Sequence, residues 1–386
     1  MTHPIRIAVI AHALRSAGGL SVGRELIDNI TRIAPQNKYL FLIPEGLGYE
    51  EMCERIPDAE IITLGPMGLA KRVWQDRFVT PKIIKNFAPD SILALDSSLG
   101  LTNPPCPQTI FLHAPQLLYP KSHYGPRNFN DKLRHKYLNK HFRLELKNTQ
   151  TVICQTEVME SRLREYFNFS NRTVVCGTSV PESIMKIPSD EAVPAAIMEH
   201  SNRLNLFYPT RYYPHKNIEV LVDLFRDYSE ELTDVTVFLT ISPDQHPNVQ
   251  KLLTKIDRLN LGKNLVNLGH IPYESIGAHF RNVDGMLMPS LLESFSTTYV
   301  EAMATGLPIL TSDLDFARAS CGDAASYFDP FNTESIKNSI VEFRDNESLR
   351  FDLAQAGAFR VQSEVNTWND IANTVISEAE RITTSN

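Results

Sequence analysis

Gly285-Met-Leu-Met-Pro-Ser-Leu-Leu-Glu-Ser-Phe-Ser-Thr-Thr-Tyr-Val-Glu-Ala-Met-Ala-Thr-Gly-Leu-Pro-Ile-Leu-Thr311 decides how this chain folds. The apolar run Gly285–Pro289 reads as a buried strand. A polar turn holding Glu293 follows. A helix then starts near Ser296 or Thr297, with Ser296 as its N-cap, and stops at Gly306, with Pro308 just beyond. The next apolar run, Leu307–Thr311, is a second strand, so the stretch is a βαβ unit. Two carboxylates stand eight positions apart, Glu293 in the turn and Glu301 one to two turns into the helix. A helix N-terminus offers unpaired N–H groups that suit a phosphate, and a nearby carboxylate suits sugar hydroxyls. A nucleotide-sugar would satisfy both at once.

The same alternation runs outward along the chain. Before the βαβ unit lie the apolar runs Leu204–Tyr208, Val235–Leu239 and Leu265–Leu268. In the first half come Ile5–Ile10, Lys38–Ile43, Ile61–Leu64, Ser91–Leu95, Thr109–Leu112 and Thr151–Cys154, with helical patterns over Ser21–Ile33, Lys71–Phe87 and Asn130–Lys147. Short apolar strands alternating with helices imply parallel sheets covered on both faces. The pattern breaks between about Thr178 and Asn202, a stretch with Pro181, Pro188, Pro194 and several acids that reads as a linker. The fold class is therefore α/β, two Rossmann-like doubly wound domains facing a central cleft, over residues 1–180 and 200–365. Residues 366–386 hold a final helix with no strand after it. Ligands of such sheets collect at the carboxyl ends of the strands.

The bulk numbers agree. With 386 residues, two domains is the natural expectation, and 42% hydrophobic with 22% charged residues is a globular composition. The longest apolar runs fall far short of the roughly 18 residues that a membrane span needs. Met1-Thr-His-Pro-Ile-Arg leads directly into a strand, so no signal peptide is expected. Cys53, Cys106, Cys154, Cys176 and Cys321 are scattered without a CxxC, which argues against a disulfide framework or a zinc site and for a reducing cytoplasm. The net charge of −7 is uneven: residues 1–180 hold 22 Lys/Arg against 16 Asp/Glu, and the remainder 16 against 29. The basic half faces an anionic acceptor or an anionic membrane, or its charges coat solvated helices. Lys121–Lys147 concentrates eight Lys/Arg against Asp131 and Glu145. The acidic chain as a whole argues against nucleic acid and for an amphipathic helix with its basic side outward. In Lys71-Arg-Val-Trp-Gln-Asp-Arg77, Trp74 either dips into a lipid interface or belongs to the core, and the core is the expectation.

Few residues carry candidate chemistry. Tyr208-Pro-Thr-Arg-Tyr-Tyr-Pro-His-Lys-Asn217 follows the first strand of the second domain, and Arg211 and Lys216 flank its turn. Two cations converging there would neutralise a leaving diphosphate without a metal; alternatively both are solvated surface charges. Gly18-Gly19 reads as a turn between the first strand and its helix, where glycine lets backbone approach a ligand, though His12–Gly23 lacks the GxGxxG pattern. His113 ends a strand, facing the cleft or packed and satisfied, and His12 sits similarly. Asp96 caps a loop and is assigned no role. No Ser/His/Asp motif, HExxH or GxxxxGK[ST] is present, so hydrolase and P-loop readings lack support.

Taken together these residues resemble family 4 glycosyltransferases of the GT-B fold. Glu293 and Glu301 match the family's E-x7-E motif, Arg211 and Lys216 its Arg/Lys pair, and Glu301-Ala-Met-Ala-Thr-Gly-Leu-Pro-Ile309 its helix-to-strand run. Gln155-Thr156-Glu157 resembles the polar element that follows the last strand of the first domain. The resemblance spans nearly the whole chain and is strongest over Asn205–Asp313. It implies retaining transfer of a hexose from a UDP-, GDP- or ADP-sugar, with no catalytic metal and no cofactor. Glu293 would bind donor hydroxyls near the reaction centre and Glu301 the ribose. Arg211 and Lys216 would hold the diphosphate, helped by the amides around Phe295, Ser296 and Thr297. Gly18 and Gly19 would let the first domain's loop close over the donor, and His113 would lie near the anomeric carbon. The acceptor would be a saccharide or lipid-linked saccharide, with peripheral contact at an anionic inner-membrane face. The final helix would cross back onto the first domain. The family often has glycine on both sides of the Phe, where this chain has Ser294 and Ser296. A nucleotide-sugar epimerase or a non-catalytic sugar-nucleotide binder are the rival readings.

Overall fold

The computed structural model describes residues 4–96, 100–124, 129–180, 184 and 194–383. Residues 181–183 and 185–193 of the linker stretch between Thr178 and Asn202 lie outside them, and Ala195–Met198 forms a short helix. The chain divides into two compact units. One comprises Met1–Tyr119, Arg127–Thr178 and Asn366–Asn386, and the other Pro120–Pro126 with Ser179–Val365.

The first unit holds a sheet of β1 (Arg6–Ile10), β2 (Lys38–Pro44), β3 (Glu60–Leu64), β4 (Ser91–Ala94), β5 (Gln108–Leu112), β6 (Thr151–Cys154) and β7 (Arg172–Val175). Among the described residues its order is β3-β2-β1-β4-β5-β6-β7, every pairing parallel. Apart from Arg6, every residue of β1, β4, β5 and β6 is buried, as their largely apolar runs require. The helix Ala17–Ile33 covers one face and packs against the final helix, Trp368–Arg381. That last helix opens with a reciprocal capping box between Thr367 and Asp370. It places Trp368, Ile371, Ala372, Val375 and Ile376 in the same core as β1 and β2. Arg172 clasps the Glu378 carboxylate at 2.8–3.1 Å, and Asn37 donates to Glu380 at 3.0 Å. The apolar stripe of the final helix completes the core of the first unit.

The second unit is a sheet of β8 (Leu204–Tyr208), β9 (Val235–Leu239), β10 (Leu265–Asn267), β11 (Gly285–Met288), β12 (Ile309–Ser312) and β13 (Ala325–Phe328). Among the described residues its order is β10-β9-β8-β11-β12-β13, again all parallel. This is the doubly wound order, with the sheet reversing direction between β8 and β11. Gly285 opens β11 where a Cβ would stand 2.6 Å from the Phe343 ring, so the strand starts with the only residue that fits.

Four features differ from the sequence expectation. First, Gly18 and Gly19 are not a turn: both lie in the first turn of the helix Ala17–Ile33. The chain reverses earlier, at Ala11–Arg15, through Leu14 N–H to Ala11 O and Arg15 N–H to Ala13 O. First-turn amides have no helical partner to lose, so glycine is cheap there. The glycine that packing demands is Gly23, whose added Cβ would lie 2.5 Å from Tyr49 Oη. Second, Trp74 is not core but 57% exposed. The run Lys71–Phe87 is helical but widens into a π turn at Gln75–Val79. Third, β7 and β13 were not legible, because these short edge strands carry Arg172, Thr173, Ser326 and Tyr327 in place of an apolar run. Fourth, Pro120–Pro126 groups with the second unit. Its turn Lys121–Tyr124 packs on the turn Pro214–Lys216, and the His123 ring stands edge-on to Phe331 at 6.5 Å.

Candidate active site

Two loops leave the carboxyl ends of β8 and β11, the strands that flank the reversal point of the second sheet. Ligands of open α/β sheets bind at that place. Three bonds run between the loops, and two more anchor the loop after β8, to Tyr208 and to Pro330. Tyr208, the last residue of β8, donates its hydroxyl to Lys216 O at 2.9 Å and meets Ser290 Oγ at 2.9 Å. Leu291 N–H donates to His215 O at 2.8 Å. Asn217, in the left-handed region at φ 56°, donates from its amide to Pro289 O at 3.2 Å and Pro330 O at 2.9 Å. Asparagine tolerates that conformation and supplies the fork of donors at the same time.

Held between these loops, Lys216 Nζ lies 2.5 Å from Glu293 Oε1. Both side chains are largely withdrawn from water, at 16% and 11% exposure, so their attraction is little screened. An ammonium has three N–H bonds. Glu293 takes one, which leaves donors for a phosphate on the same fixed nitrogen. Arg211, earlier in the loop, is exposed, with Asp244 within electrostatic reach.

The helix Thr297–Ala304 begins three residues after Ser294 and ends in a Schellman motif, with Gly306 at φ 74°. Leu307 N–H reaches Ala302 O at 2.9 Å and Gly306 N–H reaches Met303 O at 3.1 Å. Its start departs from expectation. Ser296 occupies the N-cap position, but at φ 64° and ψ 100°, and its side chain makes no capping bond. A serine N-cap ordinarily sits in extended backbone and uses its hydroxyl. The left-handed φ is what glycine provides freely, which accounts for glycine at this position in the resembling family. Phe295 is held by Ser320 Oγ donating to its carbonyl at 2.9 Å. Tyr299 N–H is bonded to Ser296 O at 3.1 Å, and the amides of Thr297 and Thr298 have no intrahelical partner, as in any helix start. Glu301 is 4% exposed inside the helix, and Tyr299 Oη meets Thr311 Oγ1 at 2.7 Å beneath it.

The first unit gathers a second group of polar side chains at the carboxyl ends of β1, β4 and β5. His113 follows β5 against the Phe111 ring at 4.4 Å, its Nε2 buried without a partner. Burial lowers its pKa to about 4, against the pull of Asp96, so the ring is neutral at physiological pH. His12 follows β1, is 3% exposed, and places Nε2 3.1 Å from Asp76 Oδ1 on the π turn. Burial lowers its pKa too, opposed by Asp76. Glu145, fully buried and paired with His141, is pushed up to about 7 by burial. Among the described residues no cluster of three or more His, Cys, Asp or Glu is placed to hold a metal ion.

Of the residues singled out from sequence, Glu293, Lys216, Phe295, Ser296, Thr297 and Glu301 occur together around one end of the second sheet. His113, Gly18 and Gly19 lie in the first unit. Sequence reasoning missed Tyr208, Ser290 and Asn217, which set the geometry of the Lys216–Glu293 pair. Asn217 alone left a signal, as an asparagine directly after the turn.

Comparison with known proteins agrees with this arrangement. Residues 190–359 match the family described as glycosyl transferases group 1. A mannosylfructose-phosphate synthase of Agrobacterium fabrum is 25% identical over 177 residues, covering 44% of this chain and 39% of that protein. A phosphatidyl-myo-inositol mannosyltransferase of Mycobacterium leprae is 26% identical over 175 residues, covering 45% of each. The chain therefore spans less than half the length of these two relatives. The crystal structure of Anabaena Alr3699/HepE with UDP and glucose superposes with a TM-score of 0.71 at 15% identity, covering 99% of this chain and all of that one. Residues 190–359 of the second unit are thus similar to the glycosyl transferases group 1 family, and the two parallel-sheet units have the fold of GT-B glycosyltransferases.

Proposed function

We propose that this chain is a retaining glycosyltransferase that moves a hexose from a nucleoside-diphosphate sugar to a saccharide or lipid-linked saccharide acceptor. The observation that carries the reading is the Lys216–Glu293 pair, fixed at 2.5 Å between the two loops at the sheet's reversal point and followed directly by an open helix start. That arrangement supplies what a sugar diphosphate needs. Lys216, Arg211 and the first-turn amides face the diphosphate, and the carboxylate of Glu293 accepts from sugar hydroxyls. Glu301 receives the ribose. The relatives named for mannosyl transfer and the neighbour holding UDP and glucose support a hexose donor of this class.

The bond between the anomeric carbon and the phosphate oxygen breaks as negative charge grows on the leaving diphosphate. The cations stabilise that charge without a metal or cofactor. The acceptor oxygen bonds to the anomeric carbon on the face the phosphate leaves, and its proton passes to the departing phosphate oxygen. The first unit receives the acceptor, and a neutral His113 there is suited to hydrogen-bonding a hydroxyl. No helix among the described residues is long and apolar enough to cross a membrane. We assign the protein to the cytoplasm with peripheral contact at an anionic membrane face.

The test is incubation with UDP-, GDP- and ADP-hexoses, with and without saccharide acceptors. Nucleoside diphosphate appearing only with acceptor supports transfer. An altered free sugar released without acceptor makes the protein an epimerase, and binding without turnover makes it a sugar-nucleotide binder; either result overturns the proposal.

A further inference from the structure

Trp74 and Phe78, one helical turn apart, are 57% and 59% exposed. Around them on the helical run Leu69–Phe87 stand Lys71, Arg77, Lys82 and Lys85, all exposed. Asp76 is the one acid of this run, and it is turned inward onto His12 and Arg72. The π turn at Gln75–Val79 carries it on the inner side, so the exposed charges of the run are all cations. The face continues onto the helix Phe129–Leu146 of the same unit. Tyr137 of that helix lies within electrostatic reach of Arg72, Asp76 and Arg77. Its outward side chains include Lys136, Lys140 and Leu133, the last 52% exposed. Of its two acids, Asp131 and Glu145, the second is fully buried against His141.

We propose that this face is a docking surface for an anionic lipid bilayer, with Trp74 and Phe78 inserting at the headgroup level and the surrounding lysines and Arg77 meeting lipid phosphates. The chemistry selects among occupants. A soluble polyanion needs the cations but gains nothing from two bare aromatic side chains. A protein interface buries its aromatic centre and is poor in lysine. A bilayer surface uses both at once: amphipathic rings settle at the interface, and the ammonium groups sense its negative potential. The proposal gives a location to the peripheral contact suggested above and is independent of sugar transfer.

The full chain is floated with vesicles of phosphatidylcholine alone and of phosphatidylcholine with phosphatidylglycerol, at low and raised salt. The expected result is flotation on the anionic vesicles only, weakening with salt. Tryptophan emission should shift to the blue on binding. The chain has two tryptophans and Trp368 is 6% exposed, so the shift reports Trp74. Trp74→Ser with Phe78→Ser, and separately Lys71→Glu with Lys82→Glu, should each lower partitioning by on the order of tenfold. Circular dichroism checks that these exposed changes leave the fold intact. Turnover on a soluble acceptor should stay unchanged in both variants, which separates failure of this surface from failure of the transferase reading. Absence of flotation on anionic vesicles at low salt overturns the proposal. So does binding that ignores the aromatic pair, or that soluble dextran sulfate abolishes for wild type and aromatic variant alike.

Discussion

Replacing Lys216 by alanine removes the cation at the centre of the proposed mechanism and leaves its partner stranded. Glu293 keeps 11% of its side-chain surface and loses the bond at 2.5 Å. A buried carboxylate stripped of its partner costs up to about 3–5 kcal/mol when sealed from water. The residual exposure of both groups brings the expected loss to about 1–3 kcal/mol, or a few degrees in Tm. The effect on catalysis is separate. A preorganised cation facing developing charge contributes about 10²–10³ in kcat, as single oxyanion donors do. The two losses are told apart by the double variant Lys216→Met with Glu293→Gln, in which no charge is stranded. Thermal denaturation should show the double variant recovering most of the midpoint that Lys216→Ala loses. Acceptor-dependent release of nucleoside diphosphate should stay low in both. Near-normal turnover in Lys216→Ala refutes the role of the cation, and a midpoint unchanged from wild type refutes the ion pair.

Other consequences are as direct. Ser296→Gly relieves the left-handed backbone at φ 64° and should raise stability by about 0.5–1 kcal/mol in urea denaturation; a loss would mean that the hydroxyl does more for the fold than its conformation costs. Ile371→Ala opens the core that the final helix shares with β1 and β2 and should cost the first unit about 2–4 kcal/mol, seen as a lower denaturation midpoint. Stability should also fall on acidification. His113 and His215, lowered by burial to about 4 and about 3, stay neutral in the fold while the unfolded chain takes up protons as pH drops through its ordinary value of 6.5. Their contribution is present above that value and is lost progressively below it, about 1–2 kcal/mol each between pH 7.5 and pH 5. His113→Asn should flatten part of that slope in denaturation series across pH.

The architecture was legible because parallel strands buried on both faces leave unbroken apolar runs, such as Ile7–Ile10 and Gly285–Met288. Edge strands do not carry that signature. Arg172-Thr-Val-Val175 faces water with its ends, and Ala325-Ser-Tyr-Phe328 mixes polar and apolar residues, so neither stood out. Local conformation was the other blind spot. A Gly-Gly pair reads as a turn from sequence, yet Leu14 and Tyr49 draw the reversal forward and leave Gly18 and Gly19 inside the helix. Trp74 looks like core by composition, and only the packing of its helix shows its ring in water. At the site, charged residues at strand ends could be found from position. What could not be found was which loop bonds hold them, since Tyr208, Ser290 and Pro330 are brought to Lys216 and Asn217 by the sheet order.

The anomeric configuration of the product decides whether the Lys216–Glu293 pair lies where the sugar leaves its diphosphate with retention. A nucleoside-diphosphate hexose of defined configuration, incubated with the protein and a saccharide acceptor, yields a glycoside whose anomeric proton is read by NMR. The expected product of the wild-type chain has the donor's own configuration, and Lys216→Ala should form it about 10²–10³ times more slowly under the same conditions. A product of inverted configuration, or a Lys216→Ala variant that makes it at the wild-type rate, would contradict the assignment of the Lys216–Glu293 pair as the place where the sugar leaves its diphosphate.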